Sequence, residues 1–184
     1  MTWFSGMALL IVVYYLGGLM DTAAVGGVSV SVFIGFMLLA VAWVVYDALW
    51  TSPLAGSEIA GATVSYILLV AVVFGLTYVM SGRAAYIHVG AVLGTLMVAN
   101  VWIRILPFQR QMVAAAKQGQ MPDMSLAERA KQRTKHNTYM VVPVVFIMIS
   151  NHFPVATYGN RYNWAVLSLL IVVGGIAAKL LRSR

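Results

Sequence analysis

The chain of 184 residues contains no cysteine. That excludes disulfides, thiolate metal sites, iron–sulfur clusters and a CxxCH haem attachment, and it says nothing of redox compartment. Charge is scarce as well: 9% of the residues are charged, against about 25% in an ordinary soluble domain. Acidic residues are fewest, five Asp and Glu beside 12 Lys and Arg. No HExxH, nucleophile elbow, P-loop or dinucleotide fingerprint is present. Nor is there an internal repeat, so a transporter built from inverted repeats has no support. With 61% hydrophobic residues and a mean hydropathy of +0.88, a disordered chain, a nucleic-acid-binding domain and a soluble enzyme are all excluded. The composition is that of an integral membrane protein.

What is present is a series of long apolar runs. A helix needs about 20 apolar residues to cross a hydrocarbon core of about 30 Å. Runs at 3–20, 28–50, 62–80, 84–106, 138–156 and 162–181 meet that length. They predict an all-α polytopic bundle, one transmembrane domain over 1–184 with six spans. The first run stops at Asp21, the second carries Asp47 near its end, and the fourth ends at Pro107 with Arg104 in its last turn. No basic residue precedes the first run, and Tyr14, Tyr15 and Leu16 stand where a signal peptidase would need small residues, so it reads as a span and not a cleaved leader. Trp3, Trp50, Trp102, Trp164, Tyr86 and Tyr162 lie near span ends, where amphipathic rings settle at the interface.

Orientation follows from the basic residues. Arg104, Arg110, Lys117, Arg129, Lys131, Arg133 and Lys135 flank or fill the connection at 108–137, and Lys179, Arg182 and Arg184 follow the sixth run. Arg83 and Arg161 stand on the other side. This asymmetry predicts both termini and the 108–137 loop cytoplasmic, and the expected setting is a bacterial inner membrane. Within that loop, Gln109 to Gln118 continues as a basic amphipathic stretch. Gly119 and Pro122 then break it, and Asp123 or Ser125 caps a second short helix through Glu128 and Lys131.

Polar residues inside the runs are the functional candidates, because each costs free energy in a bilayer unless it is paired. His88 lies four residues into the fourth run and His152 closes the fifth. The two runs are consecutive and antiparallel, so the imidazoles are expected at similar depth, above a face of small residues at Ala91, Thr95 and Ala99. Two readings stand side by side: histidines hydrogen-bonded to backbone or headgroups, or a haem b held through its iron by His88 and His152. A second group gathers at the other end: Tyr46, Asp47, Asn100, Arg104, Gln109, Arg110, Arg133, Lys135, His136 and Asn137. Arg104 and Asp47 are plausible structural partners. The alternative is an anion site in which Arg104, Arg110, Arg133 and His136 grip a carboxylate, phosphate or oxidised purine.

Several strings resemble one family, the membrane-bound, cytochrome c-linked urate hydroxylases, also called integral-membrane urate oxidases. The strongest are Ala99-Asn100-Val101-Trp102, then Ile105-Leu106-Pro107-Phe108-Gln109-Arg110-Gln111-Met112-Val113, Lys131-Gln132-Arg133-Thr134-Lys135-His136-Asn137 and Ile149-Ser150-Asn151-His152-Phe153-Pro154. Weaker ones are Trp3-Phe4-Ser5-Gly6 with Tyr14-Tyr15-Leu16-Gly17, and Val45-Tyr46-Asp47-Ala48-Leu49-Trp50. The resemblance covers the membrane domain only. It implies a further helix and a c-type cytochrome domain outside these runs, and oxidation of urate or a related anion. It points to His136, Asn137, Arg133, Arg110, Gln109 and Asn100 as catalytic positions, with His88 and His152 as cofactor ligands.

Two functions follow. The chain is a redox-linked module acting with a partner cytochrome c or a larger membrane complex, or it is a non-catalytic accessory subunit of a respiratory or photosynthetic complex. A small-molecule permease ranks behind both, since no broken helix or midplane charge supports it. A partner is expected to pack on small-residue faces at Gly90 and Gly94 or Gly174 and Gly175.

Overall fold

The computed structural model describes residues 2–20 and 27–182. Expectations resting on Asp21 and Arg184 lie outside them. Among the described residues the chain is helical without strands. Helix α1 (Thr2–Leu10) runs into a π-helical turn at Ile11–Leu16. Helix α2 (Gly27–Thr51) is joined by a 3₁₀ turn at Pro53–Gly56 to α3 (Glu58–Val79). Helix α4 (Gly82–Ala99) continues through a second π-helical turn, Asn100–Ile105, into α5 (Leu106–Lys117). Helices α6 (Met124–Ser150) and α7 (Asn163–Arg182) complete the order.

Four segments are long and apolar enough to cross a membrane: Gly27–Thr51, Glu58–Val79, Gly82–Lys117 and Asn163–Arg182. They correspond to the second, third, fourth and sixth expected runs. The other two differ for physical reasons. Thr2–Leu16 is a shorter apolar helix, about 22 Å at 1.5 Å per residue. Helix α6 is long, but Arg129, Lys131, Arg133 and Lys135 occupy its first half, so its apolar part begins near Thr138 and ends at Ser150, about 20 Å later.

The 108–137 segment is helical except near its middle. Gly119, at φ +70°, ends α5, with the Gln120 amide donating back to the Ala115 carbonyl at 3.0 Å, the wrap that a left-handed glycine permits. Asp123 then caps α6, accepting from the Ser125 amide at 2.8 Å and the Ser125 hydroxyl at 2.9 Å. Those bonds hold the Asp123 carboxyl below the usual carboxylate range. The helix it starts is not the short one expected from sequence. It runs 27 residues without a break, carrying the basic stretch and the apolar stretch on one axis.

Helix α4 is the centre of the bundle, packed against α1, α2, α3 and α6, and it buries Ala84, Ala85, Tyr86, His88, Val89, Val92, Leu93 and Leu96. Gly90 and Gly174 face neighbours inside the bundle. A Cβ on Gly90 would stand 3.0 Å from Ile147 of α6, and one on Gly174 3.0 Å from the Pro143 ring. Gly94 and Gly175 meet nothing within 4 Å. The glycine pairs are therefore half interior, not the continuous outer faces expected. Trp3, second residue of α1, donates its indole N–H to Thr95, four residues before the end of α4, at 3.1 Å. Side-chain pairs set directions, with Tyr15 against His88 and Trp3 against Thr95 making α1 antiparallel to α4. Asn137 against Asn100 and Ile147 against Gly90 do the same for α6, while Tyr46 against Asn100 and Gly35 against His88 make α2 parallel. Two polar layers result, one around His88 near the start of α4 and one around His136 near its end.

Candidate functional site

The second layer begins with a backbone problem. Pro107 has no N–H, and its ring collides with the carbonyl four residues back in a regular α-helix. Just before it the helix widens, the Leu106 amide bonding to Val101, five residues back, as in a π turn. That turn delivers Asn100 and Arg104 to side chains on α2 and α6. Asn100 is fully buried. Its Nδ2 donates to the Tyr46 hydroxyl at 3.0 Å and to Asn137 Oδ1 at 2.8 Å, and Asn137 Nδ2 donates to the Met97 carbonyl at 3.0 Å. Asp47 accepts from Arg133 Nη2 at 2.9 Å and from Arg104 Nε at 3.0 Å, and Arg104 Nη2 pairs with its second oxygen. The Arg133 guanidinium, on a side chain 4% exposed, lies 5.0 Å from the centre of the Tyr46 ring. The Arg104–Asp47 pair read from the sequence is present, and Arg133 joins it.

His136 completes the layer. Its Nδ1 lies 2.7 Å from the Tyr46 hydroxyl, and its ring centre lies 4.0 Å from that of Trp50. Because Tyr46 accepts from Asn100, its own proton is available to Nδ1, an arrangement that places the imidazole proton on Nε2. Behind the ring lies a cavity of about 650 Å³ between α2 and α3, backed by α4, α6 and α7 and walled mostly by Leu, Val and Ala. His136, Tyr46, Trp50, Ser65, Tyr66 and Tyr139 are its polar and aromatic residues.

Of the expected catalytic positions, Asn100, Arg133, His136 and Asn137 come together. Gln109 and Arg110 do not join them. They are exposed on α5, where with Leu106, Val113, Ala114 and Lys117 they line a separate cleft of about 360 Å³. A four-way grip by Arg104, Arg110, Arg133 and His136 on one anion is therefore not the arrangement adopted: Arg104 and Arg133 hold Asp47, and Arg110 lies about 9 Å farther along the helix than Arg104.

The His88 layer is closed. His88 is fully buried, with Nδ1 bonded to the Ala84 carbonyl at 2.7 Å and Nε2 to the Tyr15 hydroxyl at 3.0 Å. Tyr14 meets the ring edge-on at 6.3 Å. Gly35 of α2 comes so near that a Cβ there would stand 2.9 Å from Nε2. His152 lies in the turn after α6, exposed, and no contact links it to His88 among the described residues. As folded, this pair does not fit a bis-imidazole haem: one imidazole has no free nitrogen, and the face it would offer is filled by Tyr15 and Gly35. Tyr15 was not singled out as a site residue from sequence. Its signal was a tyrosine inside an apolar run, but only the helix pairing reveals that it reaches His88. Trp50, Tyr66 and Tyr139 were likewise not foreseen as walls of one cavity.

The family described as urate oxidase N-terminal matches residues 1–184, the whole chain. The chain belongs to the urate oxidase N-terminal family. No curated protein and no solved structure matches it. Within this urate oxidase N-terminal chain, three of the strings that resemble urate hydroxylases converge at the second layer. Asn100 of the first string meets Arg133 and Asn137 of the third, and Tyr46 and Asp47 of the weaker α2 string complete the set.

Proposed function

We propose that the chain is the membrane module of a urate-oxidising redox system, crossing the membrane six times with both termini cytoplasmic, and passing electrons to a partner cytochrome or complex. The observation that carries this reading is the family match over the whole chain together with the half-buried Asn137–Asn100–Tyr46–His136 network. Hydroxylation of a urate-like anion by water releases two electrons and two protons. The Tyr46 hydroxyl against the His136 imidazole, held in place by Asn100, is suited to taking up such a proton. The anion is gathered at the exposed α5 face, where Arg110 and Lys117 make no ion pair among the described residues and Gln109 offers a polar amide.

The test is urate-dependent reduction of added cytochrome c by the purified chain in nanodiscs. Arg110→Gln should raise KM with kcat nearly unchanged, the pattern of lost uniform binding, and His136→Gln should lower kcat. Absence of turnover with every acceptor, in a monodisperse folded chain, would refute the catalytic part. It would favour the accessory-subunit reading, which has its own support: both buried guanidiniums are already held by Asp47, as in a purely structural ion cluster. For topology, single cysteines at Gln120 and Gly159, in a chain that has none, should be labelled from opposite sides.

A further inference from the structure

The cavity beside His136 is not explained by binding a water-soluble anion. It extends along α2 from Leu38 to Trp50, about 18 Å, and along α3 from Ala62 to Val72, about 15 Å, so it is a slot parallel to the helices. Its volume of about 650 Å³ lies within the range of small-molecule sites. Val41 and Leu68 line it and are also exposed on the outer surface of the bundle, so the slot communicates with the lipid side between α2 and α3. The walls are apolar along most of the length. At one end stand the flat rings of Trp50, Tyr46 and His136: the Trp50 indole donates to the Ser65 hydroxyl at 3.1 Å and Tyr46 is engaged by Asn100 and His136 Nδ1, while His136 Nε2 has no partner among the described residues. Since no buried polar atom among the described residues lacks a partner, Nε2 is an accessible donor.

Charge decides what kind of head this end accepts. The nearest cations are already bonded to carboxylates, Arg133 to Asp47 at 2.9 Å and Lys135 to Glu58 at 2.5 Å, although Asp47 is shared with Arg104 and that cluster keeps one net positive charge. A phospholipid phosphate placed here would have to compete with those carboxylates for its cations, whereas a neutral ring bearing carbonyl acceptors would meet an N–H donor between aromatic faces. We infer that the slot binds an isoprenoid quinone, its ring at His136 and Trp50 and its tail running between α2 and α3 toward the lipid. The inference rests on the redox reading above and names a quinone as the carrier that takes up the electrons before the partner cytochrome or complex. The anion and one water yield hydroxylated product, two electrons and two protons; the quinone takes up both pairs and becomes the quinol.

The experiment is calorimetric titration of a decyl-substituted benzoquinone into the full chain in zwitterionic nanodiscs, without urate. The wild-type chain should bind it saturably. Gly175→Leu fills the slot from α7, where a side chain meets nothing within 4 Å and helix propensity improves, and it should weaken binding at least tenfold without unfolding the chain. His136→Gln should weaken it severalfold. Unchanged affinity in Gly175→Leu overturns the site. Loss in Gly175→Leu with none in His136→Gln overturns the placement of the ring. A co-purified phospholipid, seen by native mass spectrometry and not displaced by the quinone, overturns the choice of ligand. Quinone binding without any urate turnover would leave this inference standing and sink the proposed function, and turnover with cytochrome c but no quinone binding would do the reverse.

Discussion

His88 and His136 sit on antiparallel central helices, each bonded to a tyrosine from a neighbouring helix, yet they are opposite kinds of histidine. His88 is sealed, with both nitrogens bonded and a glycine pressed against its face. His136 has one nitrogen in a polar network and its ring beside a cavity. The difference teaches that a polar side chain in an apolar run is not by that fact a site. What distinguishes the two is whether the hydrogen-bonding capacity is exhausted inside the fold.

The comparison breaks most sharply at Asp47. Asp47→Ala strands the buried Arg133 and should cost about 3–5 kcal/mol, measured as thermal unfolding in detergent. No single substitution in the His88 layer should approach that. A smaller contrast concerns activity: His136→Gln should lower urate-dependent cytochrome c reduction about tenfold, about 1.4 kcal/mol of barrier, with little change in melting temperature. His88→Gln should do the opposite, lowering stability while leaving the rate per folded molecule alone. The smallest effect is expected from Tyr15→Phe, which removes one hydrogen bond worth about 1 kcal/mol. The same variant sharpens the haem question. With both His88 nitrogens bonded and His152 out of contact with it among the described residues, no low-spin Soret band should appear in the wild-type chain or in Tyr15→Phe; a band lost in both His88→Ala and His152→Ala, read in the visible spectrum of the native protein, would overturn that reading.

The helices were legible because apolar runs bounded by Asp, Pro, Ser caps and basic clusters carry their own ends, and Arg104 with Asp47 could be matched by position at the ends of two runs. What was not legible depended on helix neighbours. Nothing along the chain says that α2 runs beside α4 so that Gly35 closes over His88, or that α6 continues unbroken from Asp123 through the basic stretch. The expected meeting of His88 and His152 failed for a local reason. Helix α6 ends at Ser150, and the residue that reaches the level of Gly90 is Ile147, leaving His152 beyond the helix in a turn. Likewise Gln109 and Arg110 share a string with Leu106 and Pro107, but the helix carries them past the buried cluster.

The π turn at Asn100–Ile105 also acts as a phase setter. A regular helix advances about 100° per residue, so the wider turn leaves everything after it about that far around the axis from where an unbroken α-helix of the same sequence would put it. Helix α4 presents its buried face to four neighbours, while the direction in which α5 turns Gln109, Arg110 and Lys117 is set through that turn. Removing one residue from the turn would let it close as α-helix with the basic face where it is, whereas removing one from the regular helix just beyond it would swing that face by more than a quarter of a circle.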